Sequence, residues 1–446
     1  MLLRVTGLCL FLLVAVALSP AFAHPPAGKL KPLPPEVKAL VNKALRTKSE
    51  ADLLEARKAL AKEGRFSCCI SGGCTECMKE GACACGPNLL AKDGVCKECV
   101  EGWKAGAGKF EGIDLKEVRL EQMGMRGMTG PWLMNREGTG TSWLPDTSPM
   151  YASMRTRGTW NLMTMGYAYG VATKQKVKNR GDDGAYLSGY GMVSTWNGTL
   201  GLRAMGSFDP ITLGRGGYPL LLQGGAATND RQHPHDLVKE LAVTATGNIK
   251  DRAFATLYVA PIGEPALGPT AYIHRPSAFD NPEAPLSHHA LDFTHITPGV
   301  ITGSLATRTW KLDASLFNGH APDNRYTTFD TVRLDSRSMR LSVNPTPALV
   351  LQVSHGYLNG SGGHHGHSMG QRQYRTTASA IGTRGDWNST LAWATDTTGQ
   401  TWLLEGARLR EKETLFFRAE SVASDLGQIG KLTLGGVRNL KGGLGV

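Results

Sequence analysis

Eight cysteines lie within 32 residues, and the 347 residues that follow contain none. They are Cys68, Cys69, Cys74, Cys77, Cys83, Cys85, Cys96 and Cys99. The CxxC pairs Cys74/Cys77 and Cys96/Cys99 are separated by 18 residues, a spacing typical of a four-thiolate zinc site. Four further thiols exceed what one tetrahedral ion can bind. The segment therefore predicts a second metal, a thiolate cluster or disulfides.

The N-terminus bears on the redox state of these thiols. Arg4 precedes an apolar run over residues 8–18, and Ala21-Phe22-Ala23 offers small residues for cleavage, which predicts a secretory signal peptide over residues 1–23. Its removal takes Cys9 away and leaves eight cysteines in an oxidising compartment, where disulfides are common. The tight CC, CxC and CxxC spacings favour soft-metal ligation by zinc or monovalent copper instead. Both interpretations stay open.

Histidines grouped with carboxylates form a second candidate metal site. His233 and His235 lie in the string DRQHPHD (residues 230–236) and share a face if that backbone is extended. His288, His289 and His295 lie in residues 263–297, where repeated prolines predict a long structured loop rather than a strand. The alternatives are a hydrogen-bonding network and an inward-folded plug.

Other soft or imidazole ligands occur in two glycine-rich stretches. Ten of the fourteen methionines lie between residues 123 and 205, and Met123, Met125 and Met128 resemble thioether ligands for monovalent copper. A histidine tract at residues 364–367 is typical of weak copper, nickel or zinc binding, or of a surface loop. These groups extend the soft-metal hypothesis beyond the cysteines.

The chain lacks the sequence motifs of several enzyme classes. The chain has no GxSxG, HExxH, P-loop or dinucleotide fingerprint, so we expect no enzyme activity. The formal charge of +11 is spread along the chain, which favours an anionic lipid surface over nucleic acid as its counterpart.

The chain changes character along its length. Residues 24–64 combine a proline-rich linker with apolar residues at helical spacing, which predicts a helical hairpin. Residues 65–108 form the cysteine-rich module, and residues 109–154 form a Met/Gly-rich link. From residue 155 to residue 446, alternating runs bounded by Asn, Gly and Pro predict strands.

The strand region predicts a mainly β fold of about fourteen antiparallel up-and-down strands, each near the length that spans a membrane. Charges of both signs on strands predict a polar, ion-paired interior, and tryptophans and tyrosines near strand ends are compatible with an aromatic girdle. A transmembrane β-barrel follows, with a secreted β-sandwich as the second choice. Because the last residues resemble a turn before a further strand, we expect a truncated or atypical C-terminus.

Several unusual strings add a family resemblance. They include GMRGMTGPWLMNREGTGTSW (residues 124–143), DRQHPHD (230–236), GEPALGP (263–269) and DNPEAPLSHH (280–289). Over about residues 120–440 the chain resembles uncharacterised bacterial outer-membrane β-barrel proteins associated with copper and heavy-metal resistance genes. The resemblance implies an outer-membrane location and a metal-handling context, while the cysteine-rich module is additional to that family.

Together these features predict an outer-membrane β-barrel with a periplasmic N-terminal module that binds, transports or confers tolerance to copper or another soft metal. Its expected partners are outer-membrane lipid, metal ions and periplasmic metal-efflux components. The alternative is a nonspecific porin-like or structural barrel with a disulfide-stapled module.

Overall fold

A computed structural model of the protein describes residues 33–47, 49–62, 126–157, 160–175, 183–219, 234–250, 253–319, 332–360, 372–424 and 427–440. Several predicted features lie outside these ranges: the signal peptide, the eight cysteines of the module, Met123, Met125, His233 and the 364–367 histidine tract.

The helices are α1 (Pro35–Thr47), α2 (Glu50–Lys62), α3 (Asp209–Thr212) and α4 (His288–Leu291). The strands are β1 (Ala152–Arg157), β2 (Trp160–Thr173), β3 (Gly184–Trp196), β4 (Leu200–Ser207), β5 (Val238–Lys250), β6 (Ala253–Gly263), β7 (Thr297–Ala306), β8 (Trp310–Phe317), β9 (Ser336–Thr346), β10 (Leu349–Asn359), β11 (Arg372–Arg384), β12 (Trp387–Asp396), β13 (Gly399–Leu409), β14 (Glu413–Ser424) and β15 (Gly427–Arg438).

The chain divides into two compact units. One comprises Phe22–Gly127 and Pro131–Met134, and its described helices α1 and α2 lie within the segment predicted to be a helical hairpin. Their apolar residues form one cluster: Val37, Val41, Ala44, Leu53, Ala56 and Leu60. The other unit contains Asn135–Val446 and Met128–Gly130, and carries every described strand.

The fifteen strands form one antiparallel sheet in which each strand pairs with the next along the chain. The predicted mainly β, up-and-down fold is therefore confirmed, and the described ranges contain fifteen strands where about fourteen were expected. Short turns join many neighbours, for example at Asn197-Gly198 and at Gly385, where the backbone of Gly198 has a φ of 88° and that of Gly385 has a φ of 57°. Glycine adopts this left-handed region without a steric penalty.

Two strands and one boundary differ from the sequence prediction. No strand was expected at β1, which lies before most of the predicted strand region, or at β7, whose Pro298 and two glycines resemble a loop. Proline is tolerated near the start of β7 because ladder hydrogen bonds are not required of every amide there. The run predicted from residue 332 enters β9 only at Ser336, so Arg333 and Asp335 lie outside the strand.

The two faces of the sheet have opposite polarity. Leucine and valine side chains alternate outward and are exposed, as at Leu202, Leu351 and Leu404. The residues between them are polar or charged and buried, as at Arg340 and Glu405. The predicted ion-paired interior is present. Its pairs include Arg418 Nε with Glu405 Oε2 at 2.9 Å and Arg340 Nη2 with Asp313 Oδ2 at 3.3 Å.

The connection between β6 and β7, residues 264–296 and here called the inner loop, packs against the inner face of the sheet. The Tyr169 hydroxyl of β2 donates a hydrogen bond to the carbonyl of Phe279. The Lys431 ammonium of β15 lies 2.7 Å from a carboxylate oxygen of Glu283. Since strands near opposite ends of the order reach positions four residues apart, the sheet curves around the inner loop.

A second segment, residues 135–148 and here called the inner segment, also contacts the inner face. Arg203 of β4 donates to the carbonyl of Gly140 at 3.2 Å, and Asn344 of β9 donates to that of Leu144 at 3.0 Å. The cationic groups of Arg136 and Lys311 each lie 4.8 Å from the centroid of the Trp143 ring. The inner segment therefore joins distant strands as the inner loop does.

Predicted girdle aromatics fall into two groups. Trp160, Trp310, Trp387 and Trp402 are exposed, whereas Trp196 is fully buried and faces inward. Among the described helices, none is long and apolar enough to cross a membrane.

Candidate functional site

The candidate site lies where α3, the start of β5 and the inner loop meet. It comprises three imidazoles, two carboxylates and a tyrosine: His235, His288, His295, Asp209, Asp292 and Tyr272. This group is called the histidine cluster below. All six side chains are buried, so their hydrogen bonds form in a low-dielectric environment, where an unmet polar group is costly.

Asp209 organises one side of the cluster. Its Oδ2 accepts hydrogen bonds from the backbone amide of His235 at 3.2 Å and from His235 Nδ1 at 2.8 Å, and also from the Tyr218 hydroxyl. The Ser188 hydroxyl donates to Oδ1 at 3.0 Å. Burial opposes ionisation of this carboxyl, but the hydrogen bonds from His235 and Tyr218 outweigh burial and lower the pKa of Asp209. Asp209 is therefore an ionised acceptor.

His235 is held as a neutral imidazole. Burial is the main cause that lowers its pKa to about 4, and the nearby Lys239 charge acts in the same direction. Because Asp209 accepts at Nδ1, we assign the ring proton to Nδ1 and a lone pair to Nε2. The Tyr272 hydroxyl lies 3.2 Å from Nε2 and donates to it.

Asp292 organises the other side. Its Oδ1 lies 2.5 Å from His288 Nδ1, and its Oδ2 accepts from the Tyr272 amide and from Arg275 Nη1, both at 2.8 Å. Its backbone carbonyl accepts from His295 Nδ1 at 2.9 Å. Burial opposes ionisation, but the electrostatic interactions with His288 and Arg275 lower the pKa of Asp292.

The three imidazoles therefore share one arrangement, with Nδ1 of each facing a carboxylate or carbonyl. The ring centroids lie 4.9 Å apart for His288 and His295 and 5.4 Å apart for His235 and His295. Burial lowers the pKa of His295 well below its usual value, and its buried Nε2 has no hydrogen-bond partner among the described residues. Orientation of an imidazole through Nδ1 is common where Nε2 binds a metal.

The sequence-predicted metal residues are only partly brought together. His235, His288 and His295 meet, whereas His289 is half-buried beside them, its ring centroid 5.3 Å from that of His288. Within the described ranges, no group of three or more His, Cys, Asp or Glu side chains is arranged to hold a metal ion. His233 and all eight cysteines lie outside those ranges, so the full predicted ligand set stays a prediction.

Sequence reasoning missed Asp209, Tyr218 and Tyr272. Asp209 is separated from His235 by 26 positions, and only the path of the β4–β5 connection brings the two together. The one sequence feature at Asp209 is an Asp-Pro pair directly after a strand, which is common at ordinary helix starts.

A buried ion-pair chain fixes the inner loop against β13 and β14. Arg275 Nε lies 2.8 Å from Glu405 Oε1, and Arg418 Nε lies 2.9 Å from Glu405 Oε2. Arg418 also donates to the carbonyl of Glu283 at 2.8 Å. Because Arg275 bonds both Glu405 and Asp292, the chain connects the sheet directly to the histidine cluster.

A small cavity borders the cluster, with room for little more than one water molecule. Five tyrosines line it, namely Tyr167, Tyr169, Tyr190, Tyr218 and Tyr272, together with His235 and Lys239. His274 of the inner loop stacks on the Tyr190 ring at a centroid distance of 5.7 Å. The site thus has an aromatic cavity next to a set of oriented imidazoles.

Comparison with known proteins gives structural likeness alone. No protein-family model matches the chain, and no curated protein matches its sequence. A triple mutant of Rhodopseudomonas blastica porin aligns at 8% identity and a TM-score of 0.26, covering 64% of this chain and 94% of that chain. Salmonella typhi OmpF in complex with daunomycin aligns at 7% identity and a TM-score of 0.31, covering 62% of this chain and 95% of that chain. The architecture described above rests on this chain's own strand pairing.

Proposed function

We propose that the protein is a non-enzymatic, porin-like β-barrel of the bacterial outer membrane. The observation that carries this proposal is the inverted polarity of the sheet, with leucines exposed outward and charged pairs buried inward. Water-soluble proteins rarely expose such a broad apolar surface, whereas barrels in lipid require one. Outer-membrane lipid is the partner that this surface fits.

The inner loop and the inner segment restrict the interior of the proposed barrel. Both bond to strands spread widely through the sheet, so any solute would pass through the remaining polar space. The predicted signal peptide supports export, and the cysteine-rich module would then lie in the periplasm. Its disulfide and metal-binding interpretations are both retained.

Heat-modifiable electrophoresis of the full chain in detergent tests the barrel proposal, because folded barrels resist unfolding without heating. We expect the unheated and heated protein to migrate differently, and the protein to co-fractionate with outer membranes. A monomer that stays in the aqueous fraction without detergent would exclude the proposal.

A second candidate function is binding of copper or another soft metal at the histidine cluster, with zinc as the alternative ion. The shared orientation of His235, His288 and His295 supports it, since imidazoles held through Nδ1 commonly bind metal through Nε2. The His295 ring lies close to the other two, at centroid distances of 5.4 and 4.9 Å. Because the described side chains do not form a preformed metal site, binding of a common ion would require these rings to reorient.

Metal analysis of the purified protein separates this function from a barrel without metal. We expect His288→Phe to lower the bound copper or zinc by about one ion per chain, and His355→Phe to leave it unchanged. His355 is a suitable control because it is exposed and bonds Thr376 away from the cluster. Equal metal content in the wild type, His288→Phe and His355→Phe would contradict the proposal. Four disulfides with no bound metal would favour the stapled-module alternative.

A further inference from the structure

The outer face of β9, β10 and β11 carries two arginines and two tyrosines near one end of these strands. Arg337, Tyr357 and Tyr374 are cross-strand partners in one row, and Arg372 lies two residues beyond Tyr374 on β11. Tyr357 is four residues from the exposed Val353 of the same strand, so the row faces outward. These four side chains are called the outer patch below.

Aromatic contacts order the outer patch. The guanidinium carbon of Arg337 lies 5.2 Å from the centroid of the Tyr357 ring, and that centroid lies 5.3 Å from the centroid of Tyr374. The His355 ring stacks on Tyr374 at a centroid distance of 5.9 Å and an angle of 15°. A guanidinium over an aromatic face is attracted to it. Arg337 is therefore directed along the row, toward the side of the patch that holds Arg372.

The sequence around the outer patch provides cations without matching carboxylates. β9, β10 and β11 contain no Asp or Glu. Carboxylates from neighbouring strands reach them on the inner face, where Arg340 pairs with Asp313 and Arg375 with Asp396. Asp335, directly before β9, accepts a hydrogen bond from a backbone amide of the β8–β9 connection at 3.0 Å. The outward surface of these three strands is therefore positively charged at this end.

The outer patch lies at the border of the apolar outer face. Four residues further along each strand, the corresponding row consists of Leu341, Val353 and Ala378, and Leu341 and Val353 are exposed. Four strand residues span about 13 Å. Tyrosine is enriched where the hydrocarbon of a bilayer meets its headgroups. If the leucine and valine rows contact acyl chains, the outer patch lies at headgroup level.

We propose that the outer patch binds the phosphate group of an anionic phospholipid, with Arg337 and Arg372 as its ligands and the two tyrosine rings beside the lipid. The Cα atoms of the two arginines are about 12 Å apart, since they lie two strands and two residues from each other. A phosphate between them can be bound by both planar guanidinium groups. This inference rests on the proposed membrane location and names one lipid class that the barrel selects.

Native mass spectrometry of the detergent-solubilised full chain tests the inference, with phosphatidylglycerol as the probe and phosphatidylcholine with the same acyl chains as the comparison. We expect the wild type to bind the first phosphatidylglycerol more tightly than phosphatidylcholine. A cationic side chain near an anionic lipid surface contributes about 1 kcal/mol, or about fivefold in affinity. Arg337→Gln should therefore weaken phosphatidylglycerol binding about fivefold, and Arg337→Gln/Arg372→Gln about twentyfold.

Arg408→Gln is the matched control. Arg408 also lies near an aromatic ring at a strand end, with its guanidinium carbon 6.0 Å from the centroid of Trp387. Its guanidinium, however, has a carboxylate neighbour, since Nε lies 3.8 Å from Asp386 Oδ2. We expect Arg408→Gln to bind phosphatidylglycerol as the wild type does.

Four results would each overturn the inference: equal binding of the two lipids by the wild type, unchanged phosphatidylglycerol binding in Arg337→Gln/Arg372→Gln, an equally large loss in Arg408→Gln, or binding of inorganic phosphate as tight as that of phosphatidylglycerol. The last result would assign the patch to the free ion. Heat-modifiable migration of each variant shows whether it is folded. A heat-modifiable wild type without lipid preference would contradict this inference alone, whereas a wild type that is not heat-modifiable would contradict the barrel itself.

Discussion

Arg275 illustrates how the buried charges of this protein depend on one another. It is fully buried and lies 2.8 Å from both Glu405 and Asp292. Buried ion pairs are often no more stabilising than apolar residues of the same shape, but removal of one partner leaves an uncompensated charge. The importance of Arg275 therefore lies in the two carboxylates it neutralises.

Arg275→Met should lower the free energy of unfolding by about 3–5 kcal/mol, because Glu405 and Asp292 lose a shared counter-ion. Urea unfolding of the full chain in detergent measures this change. Arg410→Met is the control, since Arg410 is 44% exposed in its ion pairs with Asp386 and Glu413, and exposed pairs contribute about 0–1 kcal/mol. Equal losses in the two variants would contradict the buried network described here.

Glu264 should make stability depend on pH. Burial raises the pKa of Glu264 to about 8; Arg340 opposes the rise, and Glu240 and Asp292 add to it. Between pH 4.5 and 8 the unfolded carboxyl releases its proton while the folded one keeps it. The unfolded state therefore binds fewer protons, and stability falls as pH rises through this window.

Glu264→Gln should remove this pH dependence. The stability of the variant relative to that of the wild type should therefore be higher at pH 8 than at pH 5. Urea midpoints at the two pH values measure the difference. Glu413→Gln serves as the control, because Glu413 is 56% exposed. If Glu264→Gln loses stability equally at both pH values, the carboxyl is ionised in the folded protein and the burial argument is wrong.

At this scale the sequence grouped His288 and His295 with carboxylates in one loop as candidate metal ligands, and the structure brings the two rings to a centroid distance of 4.9 Å. The sequence could not predict Asp209 or Tyr272 as partners of His235, because those contacts depend on how two connections fold back over the same end of the sheet. Local spacing contains no information on that path.

Among the elements, the inner loop was predicted as a loop, but its position against the sheet was not. Its prolines predicted a long loop without strands, which the structure has between β6 and β7. Its burial was one of the open alternatives. Burial became evident only from side chains on other strands, such as the Ser287 hydroxyl and amide bonding Glu420 of β14, each at 2.8 Å.

Gly268 should be a critical position of the inner loop. Its φ is +89°, and an added Cβ would lie 2.0 Å from the Leu291 carbonyl oxygen. Gly268→Ala therefore combines an unfavourable backbone region with a backbone clash, and we expect it to expose the loop to proteolysis and to lower the urea midpoint. Residues in sparsely populated backbone regions cost about 1–3 kcal/mol.

Gly214→Ala separates the two effects, because Gly214 has a φ of +57° but open space where its Cβ would be. A smaller loss in Gly214→Ala than in Gly268→Ala is expected. Similar losses would mean that the close contact with Leu291 is relaxed at little cost.

The strands were largely predictable because alternation reports directly which face of a sheet is buried. β7 was not predicted because Pro298, Gly299 and Gly303 interrupt its alternation of apolar and polar residues. Its pairing with β6 and β8 over most of its length is a tertiary effect that overrides local propensity.

For the whole molecule, the apolar outer face of the sheet determines whether the protein is surrounded by lipid or by water. Leu391 and Leu404 are cross-strand partners on β12 and β13, and both are exposed outward. Leu404→Arg should cost about 2–4 kcal/mol if the site is in the bilayer centre and almost nothing in water. Folding yield in phospholipid vesicles, read by heat-modifiable migration, measures the effect.

Thr397→Arg, in the exposed turn between β12 and β13, is the matched control and should fold like the wild type. A Leu404→Arg protein that folds equally well in vesicles would show that the apolar face does not contact lipid.

The contacts of the inner loop also constrain the order in which parts of the chain can fold. It follows β6, yet its charged partners Glu405, Arg418 and Lys431 lie on β13 to β15, so its ion pairs cannot form until the last strands are made. Separating β13 from β14 would break the ion pair between Glu405 and Arg418 as well as the backbone hydrogen bonds between the two strands. Arg275 and Asp292 are connected to that ion pair through Glu405. Through Arg275, which bonds both Asp292 and Glu405, we expect completion of the sheet to stabilise the histidine cluster.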